Sequence, residues 1–255
     1  MSTVHLHVRD RVAELRLDNP ARLNAFTVTM LDQMSAHLNA IERNPDIACV
    51  LLTAAPSRSF CSGADIEGWA DLSPAEFARH WVRDGHRIFD RLARLARPTI
   101  AVIEAHVLGG GLELAAACDV RVMGPKATIG LPETGIGIVP GWSGTQRLAR
   151  LLPEPVLKEM ALFGRRIAAE RCVALGFAAE VADDPRALAD DMAARVCTLS
   201  PRAVETAKAM IHAGLGEDAG AMIEALGSAA IAASADRTEG IAAFRAKRKP
   251  EFPGT

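Results

Sequence analysis

Two glutamates stand beside glycine-rich segments and are candidates for an acid–base pair. Glu113 follows the glycine triplet at 109–111, and Glu133 follows Pro132 in a second segment flanked by glycines. A carboxyl group in apolar surroundings has a raised pKa, which suits it to proton transfer near neutral pH. Both glutamates also have an interpretation without a catalytic role: Glu113 as a carboxylate favoured at a helix N-terminus, and Glu133 as a solvent-facing turn residue. Together they predict acid–base chemistry on a polarised carbonyl compound, provided that the fold brings them together.

The glycines themselves predict a site that receives negative charge. The triplet at 109–111 ends an apolar strand and opens a helix, where backbone N–H groups without neighbouring Cβ atoms approach a ligand closely. Gly63-Ala64 is a second small-residue turn that offers another N–H group. Two convergent N–H donors form an oxyanion hole, although either loop taken alone is equally explained as a tight strand-to-helix turn.

Several other kinds of site are excluded by spacing. Gly135-x-Gly137 has Pro140 where a dinucleotide fingerprint requires glycine, and no phosphate-binding G-x-x-x-x-G-K-[ST] segment exists. Ser143 is one residue short of a G-x-S-x-G nucleophile elbow. The seven histidines form no H-E-x-x-H or similar pattern, so we expect no metal site.

The elements that must position these residues alternate between strand and helix in the first half of the chain. Apolar runs predict strands over 12–17, 47–53 and 99–103, the last two buried on both faces. Helical spacing of apolar residues predicts helices over 27–44, 73–95 and 112–118. This repetition predicts an α/β core.

The second half is predominantly helical. Segments 146–151, 155–163, 168–175 and nearly everything from residue 188 have helical composition, rich in Ala, Leu, Met and Arg. Ser200-Pro201 is typical of the start of a new helix. We therefore predict a core over residues 1–195 and a helical region over 196–255 that packs on the core or on another subunit.

Composition narrows the classes of partner. The 255 residues carry a formal net charge of −2 and only 4% aromatic residues, which argues against nucleic acid or an anionic membrane as the main partner. The N-terminal segment has no apolar signal-peptide core, and no apolar run is long enough to span a membrane. Five widely spaced cysteines without a C-x-x-C pair predict packed, reduced thiols, so we expect a cytoplasmic protein.

In combination, these motifs resemble the crotonase superfamily, and most of all its enoyl-CoA hydratases, from about residue 12 to residue 252. The matching segments follow the order of the family: Leu23-Asn24-Ala25, Phe60-Cys61-Ser62-Gly63-Ala64-Asp65-Ile66, Leu108-Gly109-Gly110-Gly111-Leu112-Glu113, Pro132-Glu133, Pro140-Gly141 with Gln146-Arg147-Leu148, and Glu239-Gly240 through Phe244 with Lys247-Arg248-Lys249. The resemblance implies a crotonase-like spiral of β-β-α units with a C-terminal helical oligomerisation region.

The resemblance also implies roles for individual residues. The N–H groups of Ala64 and Gly110 would form the oxyanion hole for a thioester carbonyl, and the Gly141 N–H would help to position a water molecule. Glu113 and Glu133 match the two catalytic glutamates of the hydratases. The implied reaction is reversible hydration of a trans-2-enoyl-CoA to a 3-hydroxyacyl-CoA, as in fatty acid metabolism.

Coenzyme A is part of the implied substrate, and no separate cofactor is expected. By the same resemblance the CoA-binding residues are Arg22, Leu23, Ala25, Ala64, Asp65, Ile66 and Gly110, with Phe244 and Lys247 reaching CoA from a neighbouring subunit. A homotrimer or a dimer of trimers, built by the C-terminal helices, is therefore expected.

Three departures from the family pattern bear on the substrate. Ala21 replaces a common basic residue, for which Arg22 would substitute, and Glu104-Ala105 replaces a common Asn-Gly. Trp142 stands where the family has a small residue, so we expect a narrowed or reshaped acyl pocket. Two alternatives stay open: an isomerase or dehydratase of a specialised acyl-CoA, and a homologue that binds acyl-CoA or RNA without catalysis.

Overall fold

A computed structural model describes residues 2–217 and 219–255 of the chain. Two units are distinguished, Met1–Val204 and Glu205–Thr255. The division between them lies C-terminal to the boundary that we expected at 195/196, which falls within the helix Pro185–Cys197.

The first unit contains two β-sheets. Their strands are β1 (Thr3–Arg9), β2 (Val12–Asp18), β3 (Cys49–Ala54), β4 (Ser59–Cys61), β5 (Thr99–Ile103), β6 (His106–Leu108), β7 (Val120–Met123), β8 (Thr128–Gly130), β9 (Ile167–Ala168) and β10 (Glu180–Val181). The larger sheet has the order β1-β2-β3-β5-β7-β10, and the smaller has the order β4-β6-β8-β9. Antiparallel pairing is confined to β1 with β2 and β8 with β9, and the other pairs within the described residues are parallel.

The helices are α1 (Val28–Arg43), α2 (Pro74–Glu76), α3 (Arg83–Ala93), α4 (Gly110–Ala116), α5 (Leu148–Leu151), α6 (Glu154–Phe163), α7 (Ala169–Ala174), α8 (Pro185–Cys197), α9 (Pro201–Gly214), α10 (Ala219–Ala232) and α11 (Ala235–Ala246). Helix α1 confirms the segment predicted over 27–44, because Thr27 caps it by accepting the Met30 N–H at 3.3 Å. Ser73 and Glu76 form a capping box at the start of α2, and a π-helical segment, Phe77–Val82, joins α2 to α3.

The central strands β3 and β5 of the larger sheet are buried on both faces, as their apolar runs predict. Along β3, Val50 and Leu52 join the main core with residues of α1, whereas Cys49 and Leu51 join a second cluster with residues of α8. Alternate side chains of one strand thus contact helices on opposite sides of the sheet. The α/β fold with C-terminal helices is confirmed.

The second unit is helical and exposes many large apolar side chains. These residues, each at least two-fifths exposed, are Met210, Ile211, Leu215, Ile223, Leu226, Ile231 and Ile241. The oligomerisation predicted for this region stays a prediction. Within the described residues, no helix is both long and apolar enough to cross a bilayer, and no cluster of His, Cys, Asp and Glu is arranged to hold a metal ion.

Candidate active site

Three neighbouring parallel strands of the smaller sheet bring the predicted site loops together. Strands β4, β6 and β8 lie side by side, and each is followed by one of the glycine-containing segments singled out in the sequence. Parallel strands end at the same edge of a sheet. The loops at 62–65, 109–110 and 131–133 therefore meet at this edge, although they are far apart in the chain.

The first two loops approach so closely that side chains are excluded between them. Gly63 has φ +111°, and a Cβ placed on it would lie 3.3 Å from the Gly110 nitrogen. A Cβ on Gly110 would in turn lie 3.5 Å from the Ala64 nitrogen. No described group accepts a hydrogen bond from the Ala64 or Gly110 N–H. Two neighbouring backbone donors are thus left available at the ends of β4 and β6.

Gly109 allows the third loop to reach the same place. Its φ is +53°, a backbone conformation that favours glycine, and a Cβ there would lie only 2.9 Å from Oε1 of Glu133. The Glu133 carboxylate consequently lies against the glycine triplet. Glu113 and Glu133 line the same cavity, so the fold brings together the two glutamates on which the acid–base prediction depended.

Glu113 lies in the first turn of α4 and is 2% exposed. Its Oε1 accepts the N–H groups of Trp142, at 2.8 Å, and Gly144, at 2.6 Å. Burial, together with the nearby charge of Glu133, raises the pKa of Glu113 to about 7 despite the lowering effect of these two N–H groups. Glu113 can therefore exist in both protonation states near neutral pH.

Glu133 begins a 3₁₀ turn, Glu133–Ile136, and is 7% exposed. Among the described residues, its buried Oε2 has no hydrogen-bond partner. Burial raises the pKa of Glu133 to about 7 as well. An unpartnered buried carboxylate oxygen is costly, which is typical of a group kept for function.

A cavity of about 110 Å³ adjoins both glutamates and the two available N–H groups. All three tryptophans of the chain line it. Its apolar wall consists of Ile66, Trp69, Phe77, Trp81, Val82, Ile136, Ile138, Val139 and Trp142. A cavity with one polar end and an otherwise apolar lining suits a molecule with a polar reacting group and an apolar substituent.

The segments predicted to bind CoA in the first unit also lie together. Leu23 O accepts the Ser62 N–H at 3.1 Å, and Phe26 O accepts the Asp65 N–H at 2.7 Å, so residues 22–26 run beside 62–66. Arg22 donates to Asp65 Oδ1 at 3.0 Å and pairs with Glu67 at 2.6 Å. Ala25 is buried, whereas Ile66 is half exposed and lines the cavity.

The remaining predicted residues are located as follows. Gly141 lines the cavity, but the described contacts assign its N–H no partner, and its role stays a prediction. Phe244 in α11 is 85% exposed, and Lys247 caps α11 in a left-handed conformation with φ +52°. Both belong to the second unit, and their reach to CoA in a neighbouring subunit stays a prediction.

Sequence reasoning missed a hydrogen bond behind Glu113. Ser143 has φ +87°, is 5% exposed, and its Oγ lies 2.9 Å from Nδ1 of His86 in α3. The residues on either side of Ser143 supply the two N–H groups that contact Glu113. The only signal was the small-residue segment Ser143-Gly144-Thr145, and nothing marked His86.

Comparison with known proteins identifies the family of the chain. Residues 7–255 match the family model described as enoyl-CoA hydratase/isomerase. The chain is 36% identical to a probable mitochondrial enoyl-CoA hydratase 2 of Arabidopsis thaliana over 95% of this chain and 82% of that protein. It is 31% identical to a short-chain-enoyl-CoA hydratase of Clostridium acetobutylicum over 98% and 97% of the two chains.

Solved structures give the same result. The crystal structure of an enoyl-CoA hydratase from Bacillus anthracis superposes with a TM-score of 0.80 at 31% identity, covering 99% of both chains. Because the family model matches nearly the whole chain and these relatives are at least 31% identical over nearly its full length, the protein is a member of the enoyl-CoA hydratase/isomerase family, with the crotonase fold.

Proposed function

We propose that the protein is an enoyl-CoA hydratase, which adds water across the 2,3 double bond of a trans-2-enoyl-CoA to give a 3-hydroxyacyl-CoA. The observation that carries this proposal is the pair of buried glutamates, both with pKa values raised to about 7, beside two available backbone N–H donors. Two relatives whose names specify hydration of short substrates, the Clostridium enzyme and a crotonyl-CoA hydratase of Syntrophomonas wolfei, support it.

The substrate carbonyl is placed first. Its oxygen accepts the N–H groups of Ala64 and Gly110, and the apolar acyl chain enters the cavity beyond them. The CoA portion follows residues 22–26 and 62–66, where Arg22, Leu23, Ala25, Asp65 and Ile66 lie. Two donors aimed at the carbonyl oxygen stabilise it more strongly when it becomes negative than when it is neutral.

Water then adds between the glutamates. The carboxylate of one glutamate accepts a proton from the water as its oxygen bonds to Cβ. The electron pair of the double bond moves through Cα to the thioester oxygen, forming an enolate held by the Ala64 and Gly110 N–H groups. The protonated partner delivers a proton to Cα, and the carbonyl re-forms. Because the two carboxyl groups interact, their titration belongs to the pair.

The test is the loss of enoyl-thioester absorbance with crotonyl-CoA and with a longer enoyl-CoA, with products checked by mass. We expect the product to gain one water, and we expect Glu113→Gln and Glu133→Gln to lose about a hundred-fold or more in kcat. Glu170→Gln, an exposed glutamate at the start of α7, is the matched control and should keep full activity.

Other products would redirect the assignment. A shifted double bond without mass change would identify an isomerase, and loss of water from a specialised hydroxyacyl-CoA would identify a dehydratase. Binding of CoA without turnover would indicate a homologue that has lost catalysis. Full activity in both glutamine variants would contradict the roles given to the glutamates.

We also propose that the protein forms a homotrimer or a dimer of trimers through the second unit. The exposed apolar side chains of Ile223, Leu226 and Ile231 in this unit support the proposal. Sedimentation equilibrium measures the assembly, and a monomer at micromolar concentration would refute it. In a trimer, Phe244→Ala and Lys247→Ala should raise KM for the CoA thioester.

A further inference from the structure

The indole of Trp142 lines the cavity and is held by one hydrogen bond and three ring contacts. It is 2% exposed, and its Nε1–H donates to the carbonyl of Trp81 at 3.1 Å. Its ring packs against Trp81, Phe89 and Phe26, with centroid distances of 5.1, 5.2 and 6.4 Å. Phe26 and Phe89 are fully buried and do not line the cavity, so the core is closed behind the indole.

A glycine in the first turn of α3, which continues the π-helical segment Phe77–Val82 without a break, makes room for this ring. A Cβ on Gly85 would lie 2.2 Å from Trp142 Nε1 and 2.4 Å from its Cε2, so even alanine would displace the indole. Gly85 has an ordinary helical backbone, and glycine in a helix interior is unfavourable. Space for Trp142 is therefore the physical reason for glycine at this position.

The six-membered ring of the indole lies beside the two available N–H groups. A Cβ on Gly110 would lie 2.7 Å from Trp142 Cε3 and 3.5 Å from the Ala64 nitrogen. An acyl group whose carbonyl oxygen is bound by Ala64 and Gly110 thus begins next to the Trp142 ring. The indole fills the space between Gly110 and the buried rings of Phe26 and Phe89.

We infer that Trp142, seated in the space left by Gly85, is the residue that limits the length of the acyl group and makes the enzyme selective for short, straight acyl chains. This inference rests on the proposed function, because it concerns the substrate of the same site. Replacing Trp142 by a smaller residue adds the space of the indole to the cavity. Replacing Phe89, which packs against the indole and does not line the cavity, adds no space to it.

The experiment compares kcat/KM for crotonyl-, trans-2-hexenoyl- and trans-2-decenoyl-CoA in the wild type, Trp142→Ala and Trp142→Phe. We expect the wild type to prefer crotonyl-CoA over decenoyl-CoA by at least about ten-fold, and Trp142→Ala to raise the decenoyl-to-crotonyl ratio by at least about ten-fold. Trp142→Phe should change the ratio in the same direction but less, and it serves as the test if the alanine variant does not fold.

Two further variants separate the effect from a general loss of packing. Phe89→Leu removes volume from the core behind the indole, and its ratio should equal that of the wild type. Gly85→Ala pushes the indole towards the cavity, so it should reduce kcat/KM for every substrate, and combining it with Trp142→Ala should restore activity.

The outcomes distinguish this inference from the proposed function. A wild type that hydrates decenoyl- and crotonyl-CoA equally, or Trp142 variants that fold and keep the wild-type ratio, would overturn the inference while leaving hydration intact. If no enoyl-CoA is hydrated, the length preference is measured without catalysis, as the ratio of the calorimetric affinities for decanoyl-CoA and butanoyl-CoA. If neither Trp142→Ala nor Trp142→Phe changes this affinity ratio, the inference about Trp142 is overturned.

Discussion

Replacing Glu133 with glutamine should stabilise the protein at alkaline pH. Burial raises the pKa of Glu133 from 4.5 to about 7 in the folded protein, whereas the unfolded chain titrates near the ordinary value. The stability contributed by the protonated group is therefore complete below a pH of about 4.5, and it is lost as the pH rises through about 7. Above that range, the folded protein must hold a buried carboxylate whose Oε2 lacks a partner among the described residues.

The rise of the Glu133 pKa sets the size of the effect. At about 1.4 kcal/mol per pKa unit, the increase from 4.5 to about 7 corresponds to about 3 kcal/mol. Glu113 titrates as the partner of Glu133, and its own pKa should fall in Glu133→Gln, because the Glu133 charge is one cause of its increase. The free energy of unfolding of this variant should therefore depend much less on pH than that of the wild type.

Urea unfolding followed by tryptophan fluorescence measures this difference, since all three tryptophans line the cavity of the first unit. We expect wild type and Glu133→Gln to differ by up to about 3 kcal/mol more at a pH of about 8.5 than at about 4.5. Glu170→Gln, whose side chain is exposed, should follow the wild type at both. Parallel pH profiles for wild type and Glu133→Gln would refute the assignment of a raised pKa to this carboxyl group.

Three further changes test the arrangement around the glutamates. Gly109→Ala places a Cβ 2.9 Å from Glu133 Oε1 at a φ of +53°, so we expect kcat for crotonyl-CoA to fall about a hundred-fold in steady-state assays. Ser143→Ala removes the hydrogen bond to His86 behind the N–H groups that contact Glu113. It should lower kcat more than it raises KM and should move the pH–rate profile, and an unchanged profile would contradict this positioning role. Asn24→Ala removes the side chain from three buried hydrogen bonds to the backbone, and should cost about 3 kcal/mol in urea unfolding; a loss below about 1 kcal/mol would contradict it.

Three neighbouring strands of the larger sheet, β2, β3 and β5, and helix α1 could be predicted because their signals are local, whereas β1, β7 and β10 were not predicted. Strand β5 has the predicted bounds, and α1 (Val28–Arg43) begins and ends within one residue of the range predicted over 27–44. The strands of the smaller sheet could not be predicted. Strands β4 and β8 have three residues each, too few to show a periodicity, and their pairing is with distant segments. The π-helical turn at Phe77–Val82 was likewise hidden within a segment read as one continuous helix.

The residues of the candidate site could be predicted from the sequence, but the hydrogen bonds and packing contacts among them could not. The glycine loops and the resemblance to the family identified Glu113, Glu133, Ala64 and Gly110. The N–H donors to Glu113 come from Trp142 and Gly144, which only the folded loop can bring there. The importance of Gly85 was missed because nothing in the sequence distinguishes it from other residues of the predicted helix. Glycine is needed there because of a tertiary contact with the indole of Trp142.

The parallel order β4-β6-β8 has a consequence for how this enzyme can change over evolutionary time. Each strand delivers one contribution to the site: a first N–H donor, a second donor with Glu113, and Glu133. The contributions lie on separate stretches of chain anchored by separate strand pairings. A mutation after β8 can therefore alter Glu133, one of the two proposed acid–base groups, while the two proposed carbonyl-binding donors after β4 and β6 are inherited intact. If these roles hold, the chemistry of the site can change one loop at a time while the thioester is still bound.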